Sequence, residues 1–280
     1  MLCRKPFSKK GAQFGCGQCM ACRINRRRIW THRIMLEALV SPSASFLTLT
    51  YNKENLPDGG TLAPRDLTLF LKRLRKRFSF RYFAVGEYGD FSERPHYHAA
   101  LFGVPYTADG VVREAWGLGH IMLGDLTFQS AAYVAGYVTK KLTGKDDARL
   151  KGRYPEFARM SLRPGIGAAA MQDVASEVLS RPGWNEVTRT GDVPVVLRHG
   201  GRSYPLGRYL RSKLREYSGV VANDTGVEAF SKSLELSRLY SDYDVVKAGK
   251  AFAVELRERE EKRIENQEAR HRIFSQRSRL

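Results

Sequence analysis

Three things are scarce in this sequence, and each scarcity narrows the class of protein. No segment approaches the roughly twenty uninterrupted apolar residues that a membrane-spanning helix requires. No apolar run follows the basic N-terminus, so we expect a cytoplasmic protein without a secretory signal. Acidic residues are also few, since 29 Asp and Glu face 47 Lys and Arg, for a net charge of +18. Such a charge predicts a polyanionic partner, most commonly nucleic acid.

Cysteine is scarce and confined to one place. The four cysteines are Cys3, Cys16, Cys19 and Cys22. Disulfides are not expected in a reducing compartment. Four thiolates are the number that a structural zinc site needs, but Cys-x-x-Cys-x-x-Cys also begins an iron–sulfur run, and free thiols are a third alternative. If the cysteines fold into a zinc knuckle, the adjacent Arg26, Arg27 and Arg28 would lie near it and could contact DNA phosphates.

The pattern of apolar residues predicts an α+β fold with a central antiparallel sheet flanked by helices. It also predicts a Cys-rich N-terminal segment and a helical C-terminal extension. The expected helices are 29–39, 64–78 and 129–142, and the expected strands are 45–51, 80–86, 95–103 and 120–126. We divide the chain into a Cys-rich basic segment 1–28, a catalytic domain 29–145, an extension 146–220 with no clear period, and a charged helical tail 221–280.

The segment Arg94-Pro95-His96-Tyr97-His98 contains the first candidate site. Residues two apart in a strand share a face, so His96 and His98 point together and can bind one metal ion. A third ligand, commonly a carboxylate, is expected, and Glu87 is the first candidate because it follows the neighbouring strand. Asp90, Glu93 and Asp125 are reserves. The alternative is a pair of histidines that merely lie on a half-exposed strand. The mixed ligand set suits Mn²⁺ and tolerates Mg²⁺.

Two tyrosines four residues apart, Tyr133 and Tyr137, form the second candidate site. Residues with this spacing lie on the same side of a helix. A phenolate can attack a phosphodiester and form a covalent phosphotyrosine. Lys140 and Lys141 follow Tyr137 closely and can lower its pKa or stabilise charge on the phosphate. The alternative is an aromatic stripe in the core.

Three segments in this order resemble the motifs of the HUH endonuclease superfamily. They are Phe46-Leu47-Thr48-Leu49-Thr50-Tyr51, Pro95-His96-Tyr97-His98 and Tyr133-Val134-Ala135-Gly136-Tyr137-Val138-Thr139-Lys140-Lys141. The paired tyrosines resemble those of rolling-circle replication initiators. CGQCMACR, Gly86-Glu87-Tyr88-Gly89, residues 159–167 and residues 207–210 are similar to the replication initiation proteins of small single-stranded DNA phages of the gokushovirus type.

This resemblance implies a metal-dependent endonuclease and strand-joining enzyme in the bacterial host cytoplasm. One tyrosine, which we expect to be Tyr137, nicks the replication origin and keeps the 5′-phosphate, while the 3′-hydroxyl primes synthesis by a host polymerase. Tyr133 would then cut the regenerated origin. Single-stranded DNA, a host helicase and a host polymerase are the expected partners. The competing hypotheses are an HUH transposase or relaxase, and a non-catalytic zinc-containing nucleic-acid-binding protein. The sequence does not indicate an oligomeric state.

Further DNA contacts are expected from basic and aromatic residues. The densest basic patch is Lys72, Arg73, Arg75, Lys76 and Arg77. This patch is either a DNA contact or the solvated face of an amphipathic helix. Tyr88 and Phe91 are expected to stack on unpaired bases. His32, His120, His199 and His271 show no partner pattern, and we interpret them as structural.

Overall fold

The computed structural model describes residues 3–9, 12–89, 92–137, 147–221, 254, 258–259 and 261–273. The chain divides into two compact units. One comprises Met1–Arg26, Arg181–Val193 and Val220–Leu280, and the other comprises Arg27–Ser180 and Pro194–Gly219. None of the helices in these described stretches is long and apolar enough to cross a membrane.

The larger unit is organised around a five-stranded sheet. Its strand order is β6-β3-β5-β4-β7, and every neighbouring pair in it is antiparallel. Two short hairpins, β1–β2 and β8–β9, lie outside this sheet. The strands are β1 Phe7–Lys9, β2 Ala12–Phe14, β3 Ala44–Thr50, β4 Arg81–Tyr88, β5 Pro95–Phe102, β6 Ile121–Asp125, β7 Phe157–Met160, β8 Val196–His199 and β9 Arg202–Pro205.

Seven helices lie between residues 20 and 218 of the described chain. The best-defined amphipathic one, α2, begins with Pro64 at its first turn and buries Leu67, Phe70, Leu71 and Leu74. Proline is tolerated there because the first helical N–H groups have no partner within the helix. The helices are α1 Met20–Leu39, α2 Pro64–Leu74, α3 Asp109–Trp116, α4 Phe128–Tyr137, α5 Ala170–Leu179, α6 Arg181–Thr190 and α7 Gly207–Ser218. Residues 261–273 are also helical.

The two faces of the sheet have separate cores because side chains alternate along each strand. On one face, Leu49, Tyr97 and Leu101 pack with Phe70 of α2 and Trp116 of α3. The second core contains a different set of buried residues. It comprises Phe83, Val85, Ala100, Phe102, Ile34 of α1, and Ala131, Val134 and Ala135 of α4. Helix α4 therefore covers the face on which His96 and His98 lie.

The predicted fold class is confirmed, and so is the antiparallel pairing of the two strands joined by residues 87–94. Some boundaries differ. Helix α1 begins at Met20 rather than 29, within the predicted Cys-rich basic segment 1–28. The sequence pattern did not indicate this start because the arginine-rich first turns lack an apolar period. Helix α2 ends at Leu74 rather than 78. The tyrosine helix was expected to extend to 142, and residues 138–146 lie outside the described residues.

Short elements are the ones that the sequence pattern missed. Helix α3 has eight residues, too few for a clear period. The stretch interpreted as lacking a period contains β7, α5, α6, the β8–β9 hairpin and α7. Each is short, and Gly and Pro residues separate them, so no window was long enough to show periodicity.

Candidate active site

The β4–β5 hairpin places the predicted carboxylate beside the predicted histidines. Glu87 lies directly opposite His96 in the register, and Val85 lies opposite His98. Tyr97 points to the other face, where its hydroxyl donates to the carbonyl oxygen of Ala63 at 3.0 Å. The alternation expected from His-x-His is therefore present, and the imidazole of His98 lies against helix α4.

His98 is buried and contacts protein groups through both ring nitrogens. Nδ1 lies 2.9 Å from the hydroxyl oxygen of Thr48, and Nε2 lies 3.0 Å from Oε1 of Glu87. A carboxylate accepts only, so without a metal ion Nε2–H donates to Glu87 and the Thr48 hydroxyl donates to Nδ1. Because a hydroxyl both donates and accepts, Thr48 also suits the other tautomer, in which Nε2 is free to bind a metal ion.

His96 is oriented by the backbone. Its Nδ1–H donates to the carbonyl oxygen of Arg94 at 2.7 Å, which leaves the Nε2 lone pair for another ligand. Its ring is parallel to that of His98, with the centroids 6.3 Å apart. Ligands of one ion at about 2.1 Å are separated by roughly 3–4 Å. His98 Nε2 and Glu87 already have this spacing, whereas His96 must turn its ring to join them.

Helix α4 brings both tyrosines to the same imidazole. The ring of Tyr137 stacks on that of His98 at 5.5 Å, and the ring of Tyr133 meets it edge-on at 5.1 Å. The Tyr137 phenol hydrogen-bonds to Tyr133 and to Glu87. Burial chiefly, with these two contacts, raises the pKa of Tyr137 well above its ordinary value. Tyr133 is 45% exposed. The four predicted side chains His98, Glu87, Tyr137 and Tyr133 thus form one connected cluster.

Arg27 joins this cluster in a position that the sequence did not indicate. Its Nε–H donates to the carbonyl oxygen of Ala132 at 2.8 Å, on helix α4 beside the two tyrosines. A Cβ atom on Gly136 would lie 3.6 Å from the same Nε atom. Burial lowers the pKa of Arg27, and the neighbouring Tyr137 raises it. The guanidinium expected to contact DNA phosphates lies against the tyrosine helix instead of extending into solvent.

The remaining predicted residues are distributed elsewhere. Lys140, Lys141, Asp90 and Phe91 lie outside the described residues. The prediction that Tyr88 stacks on bases is wrong, because its side chain is buried and its hydroxyl donates to the carbonyl oxygen of Tyr154 at 2.7 Å. The hairpin turns this side chain into the core of the opposite face.

The basic patch of α2 lies on the face of the sheet opposite to the tyrosines. Two of its arginines make local contacts. Arg73 donates through Nε to the carbonyl oxygen of Ala115 at 2.6 Å, and the guanidinium of Arg75 lies 5.5 Å from the ring of Phe80. All five basic residues of the patch are exposed. The patch is therefore presented to solvent, and its contact with DNA stays a prediction.

The four cysteines converge in the smaller unit. Their sulfur atoms all lie within 4.8 Å of one another, and those of Cys3 and Cys19 are 3.9 Å apart. Backbone N–H groups of residues 16 and 19 donate to the sulfurs of Cys3 and Cys16 at 3.2 and 3.3 Å. Backbone hydrogen bonds to the Cys16 sulfur, the one from Cys19 foremost, lower the pKa of Cys16 to about 6. Among the described residues, these four cysteines are the one group of three or more His, Cys, Asp or Glu side chains that are spaced closely enough to hold a metal ion.

Known proteins similar to this chain are phage replication proteins. The family model named for the replication-associated protein ORF2 matches residues 44–142. The replication-associated protein ORF2 of Spiroplasma virus 4 is 36% identical over 178 residues, which are 54% of this chain and 55% of that protein. The replication-associated protein VP4 of Bdellovibrio phage phiMH2K is 29% identical over 268 residues, 86% of this chain and 80% of that protein.

A third relative shares a shorter region. The replication-associated protein ORF4 of Chlamydia phage 1 is 29% identical over 151 residues, 45% of this chain and 38% of that protein. The chain thus spans about half of the Spiroplasma virus protein and a smaller share of the Chlamydia phage protein. No solved structure matches the chain. The family model covers β3 to α4, the region that contains His98, Glu87, Tyr133 and Tyr137 but not Arg27.

Proposed function

We propose that this chain, which is similar to replication-associated proteins of phages, initiates rolling-circle replication by nicking and rejoining single-stranded DNA. This proposal agrees with the resemblance of its motifs to gokushovirus-type initiators. The observation that carries the proposal is the cluster of His98, Glu87, Tyr137 and Tyr133 beneath helix α4. We assign this chemistry to the predicted domain 29–145, with 1–28, 146–220 and 221–280 as accessory segments.

In the proposed reaction, the phenolic oxygen of Tyr137 bonds to phosphorus while the bond between phosphorus and the 3′-oxygen breaks. The 5′-phosphate stays on the tyrosine, and the 3′-oxygen takes up a proton and leaves as a hydroxyl. The raised pKa of Tyr137 favours the neutral phenol, so attack requires a group that accepts its proton. Glu87, which hydrogen-bonds to this phenol, is placed to accept its proton.

Charge on the reacting groups requires compensation. His96, His98 and Glu87 offer the two imidazoles and the carboxylate that would hold Mn²⁺ or Mg²⁺, which polarises the phosphodiester when bound. Arg27, and with it the predicted Lys140 and Lys141, supplies positive charge near Tyr137. The positions of Thr48 and of the Arg94 carbonyl orient the two imidazoles for this role.

The second tyrosine permits a second cut without release of the first product. Tyr133 is exposed and lies beside Tyr137, with ring centroids 5.1 Å apart. After one round of synthesis, Tyr133 would attack the regenerated origin. The new 3′-hydroxyl would then attack the phosphotyrosine of Tyr137 and restore a closed strand. A host polymerase would extend the first 3′-hydroxyl and a host helicase would separate the strands.

A covalent-capture assay tests this proposal. The protein is incubated with single-stranded fragments that tile its replicon, in the presence of Mn²⁺ or Mg²⁺, and an adduct that survives SDS is sought. We expect an ion-dependent adduct that persists with Tyr133→Phe or Tyr137→Phe alone. It should disappear in the double variant and with His96→Ala.

Two other outcomes would point to the competing hypotheses. Tight DNA binding without any adduct would support a non-catalytic nucleic-acid-binding protein. An adduct lost with one tyrosine alone would favour the single-tyrosine chemistry of a transposase or relaxase. Chelation by EDTA is the matched control for the metal dependence.

We further propose that Cys3, Cys16, Cys19 and Cys22 hold a structural Zn²⁺. Zn–S bonds of about 2.3 Å place tetrahedral sulfurs roughly 3.8 Å apart, close to the 3.9 Å between Cys3 and Cys19. Gly17 has a φ of 73°, so glycine suits the turn that brings Cys16 and Cys19 together. Atomic absorption should find one zinc per chain, and Cys19→Ser should abolish it. Iron with visible absorption would indicate a cluster instead.

A further inference from the structure

A polar cavity of about 630 Å³ lies beside His96. It is lined by Thr50, Tyr51, Asn52, Lys53, Glu54, Arg94, His96 and His120. Its lining includes neither tyrosine of α4 and does not include His98. Of the proposed metal-binding residues, the cavity thus contacts His96, and neither proposed nucleophile lines it.

Hydrogen bonds fix the walls of this cavity. The backbone N–H groups of Thr50 and Asn52 donate to the carbonyl oxygens of His120 and Leu118 at 2.9 and 3.0 Å. Arg94 donates through Nη2 to the carbonyl oxygen of Tyr51 at 2.8 Å. The walls are thus held by hydrogen bonds within the protein, as in the largely pre-formed pockets that bind small ligands.

Close approach of two backbone segments also shapes the wall. Gly119 has a φ of +153°, and a Cβ atom there would lie 2.3 Å from the backbone nitrogen of Asn52. Any side chain would collide with fixed backbone atoms. Gly119 therefore lets the segment before β6 lie directly against the end of β3 and present His120 at the rim.

The charge and chemistry of the lining suit one nucleotide. Lys53 and Arg94 are cationic, and one carboxylate, Glu54, partly offsets them. The imidazole of His120 is exposed and offers a flat ring on which a base can stack. The volume falls within the range of small-ligand pockets, about 300–1,000 Å³, and so admits a base with its sugar and phosphate.

We propose that this cavity binds the nucleotide that carries the 3′-hydroxyl produced by nicking. The inference rests on the proposed function. In an in-line displacement the attacking and leaving oxygens lie on opposite sides of phosphorus. Tyr137 stacks on His98, whereas the cavity opens at His96. A phosphate held between them would direct the nucleotide that leaves through its 3′-oxygen into the cavity, where the primer end is retained after the cut.

Photocrosslinking tests the placement directly. A dT15 oligonucleotide with 5-iododeoxyuridine at its 3′ end is irradiated with the Tyr133→Phe/Tyr137→Phe variant, which cannot turn over, and the adduct is mapped by mass spectrometry. We expect cross-links within residues 50–54 or at His120. The same oligonucleotide labelled at its 5′ end should not cross-link there. Equal labelling from both ends, or cross-links elsewhere, would overturn the proposal.

Measurements of DNA binding provide a second test of this proposal. In the same double-tyrosine background, Lys53→Ala combined with His120→Ala should weaken fluorescein–dT15 binding by about 5-fold or more, measured by anisotropy. Glu54→Gln should strengthen it. Lys213→Ala, which removes a lysine paired with Glu216 on α7, is the control. Unchanged binding in the cavity variants would overturn the proposal, whereas the wild-type covalent adduct reports on the proposed function separately.

Discussion

The larger unit contains two pairs of tyrosines, one on each face of the sheet. Tyr51 and Tyr97 are both buried, their hydroxyl oxygens are 3.0 Å apart, and Tyr51 also donates to Asp66 at 2.7 Å. Tyr133 and Tyr137 lie beside a histidine and a carboxylate, and Tyr133 is 45% exposed. Both pairs contain a phenol with a raised pKa. Both pairs also have a neighbouring carboxylate, so exposure to solvent and contact with His98 distinguish the pair that we propose to be reactive.

Two pairs of histidines in the larger unit also differ in their surroundings. His96 and His98 lie on β5, His96 at the edge of the cavity and His98 beside Glu87. His32 of α1 is fully buried, and its ring lies 5.8 Å from that of His199 on β8. Burial lowers the pKa of both His32 and His199. We propose that the first pair binds a cation, whereas burial favours the neutral form of the second pair.

The largest expected difference is between Tyr137→Phe and Tyr97→Phe. In the Tyr133→Phe background, Tyr137→Phe should reduce adduct formation by on the order of 10³-fold or more, because no nucleophile remains. Tyr97→Phe in the same background should leave the adduct rate within about twofold, yet cost about 1–3 kcal/mol of stability by removing the hydroxyl that binds Ala63 and Tyr51. Gel quantification and urea unfolding measure the two effects.

The opposite result for these two variants would contradict the difference that we propose between the two tyrosine pairs. If Tyr97→Phe stopped adduct formation in a folded protein, the pair Tyr51–Tyr97 would be part of the chemistry. Far-UV circular dichroism of each variant provides the control for folding.

The second prediction concerns the buried histidines. His32 has its pKa lowered to about 4, whereas an unfolded histidine titrates near about 6.5. Between these values the unfolded state binds more protons, so stability should fall as pH decreases, by about 3 kcal/mol at most. The groups facing His32 are His199, Tyr204 and the carbonyl oxygen of Pro205. Unfolding midpoints between pH 4 and 7 measure the slope.

Removing the titrating ring should flatten that slope. In His32→Leu, the pH dependence of the free energy of unfolding should correspond to about one proton fewer. His120→Leu, at an exposed position on the rim of the cavity, should keep the original pH dependence. An unchanged slope in His32→Leu would mean that other groups control acid stability.

The smallest expected effect belongs to Thr48. Thr48→Val keeps the shape but removes the hydroxyl that lies 2.9 Å from Nδ1 of His98. Removing such an orienting partner should weaken Mn²⁺ binding by about 10- to 100-fold. Thr50→Val is the matched control on the same strand face, because its hydroxyl contacts the carbonyl oxygen of His120 rather than a metal-binding histidine. Electron paramagnetic resonance of free Mn²⁺ measures the affinity of each variant. Equal affinities of the two variants would show that Thr48 does not orient His98 for metal binding.

Much of this site could be predicted because its residues are related by local spacing. His96 and His98 share a face through the two-residue period of a strand, and Tyr133 and Tyr137 through the turn of a helix. Glu87 followed from a short connection that makes neighbouring strands antiparallel.

What the sequence did not indicate depends on long-range packing. Thr48 lies 50 residues from His98, and its role requires the β3–β5 register. Arg27 lies 105 residues from Ala132, and only the packing of α1 on α4 directs its guanidinium to the tyrosine helix. Tyr88 was predicted to be exposed because its polar neighbours resemble a loop, whereas β4 continues through it.

Gly119 also determines how much sequence change this protein tolerates. Glycines 59 and 60 share its positive φ, but a Cβ atom there would meet nothing within 4 Å, so asparagine or aspartate can replace them at modest strain. At Gly119 even alanine would strike the backbone of Thr50 and Asn52. In a saturation library selected for phage propagation, position 119 should retain glycine alone while positions 59 and 60 diversify. This wall of the cavity therefore cannot change by substitution of Gly119. Changes in nucleotide preference must come from substitutions of the other residues that line the cavity.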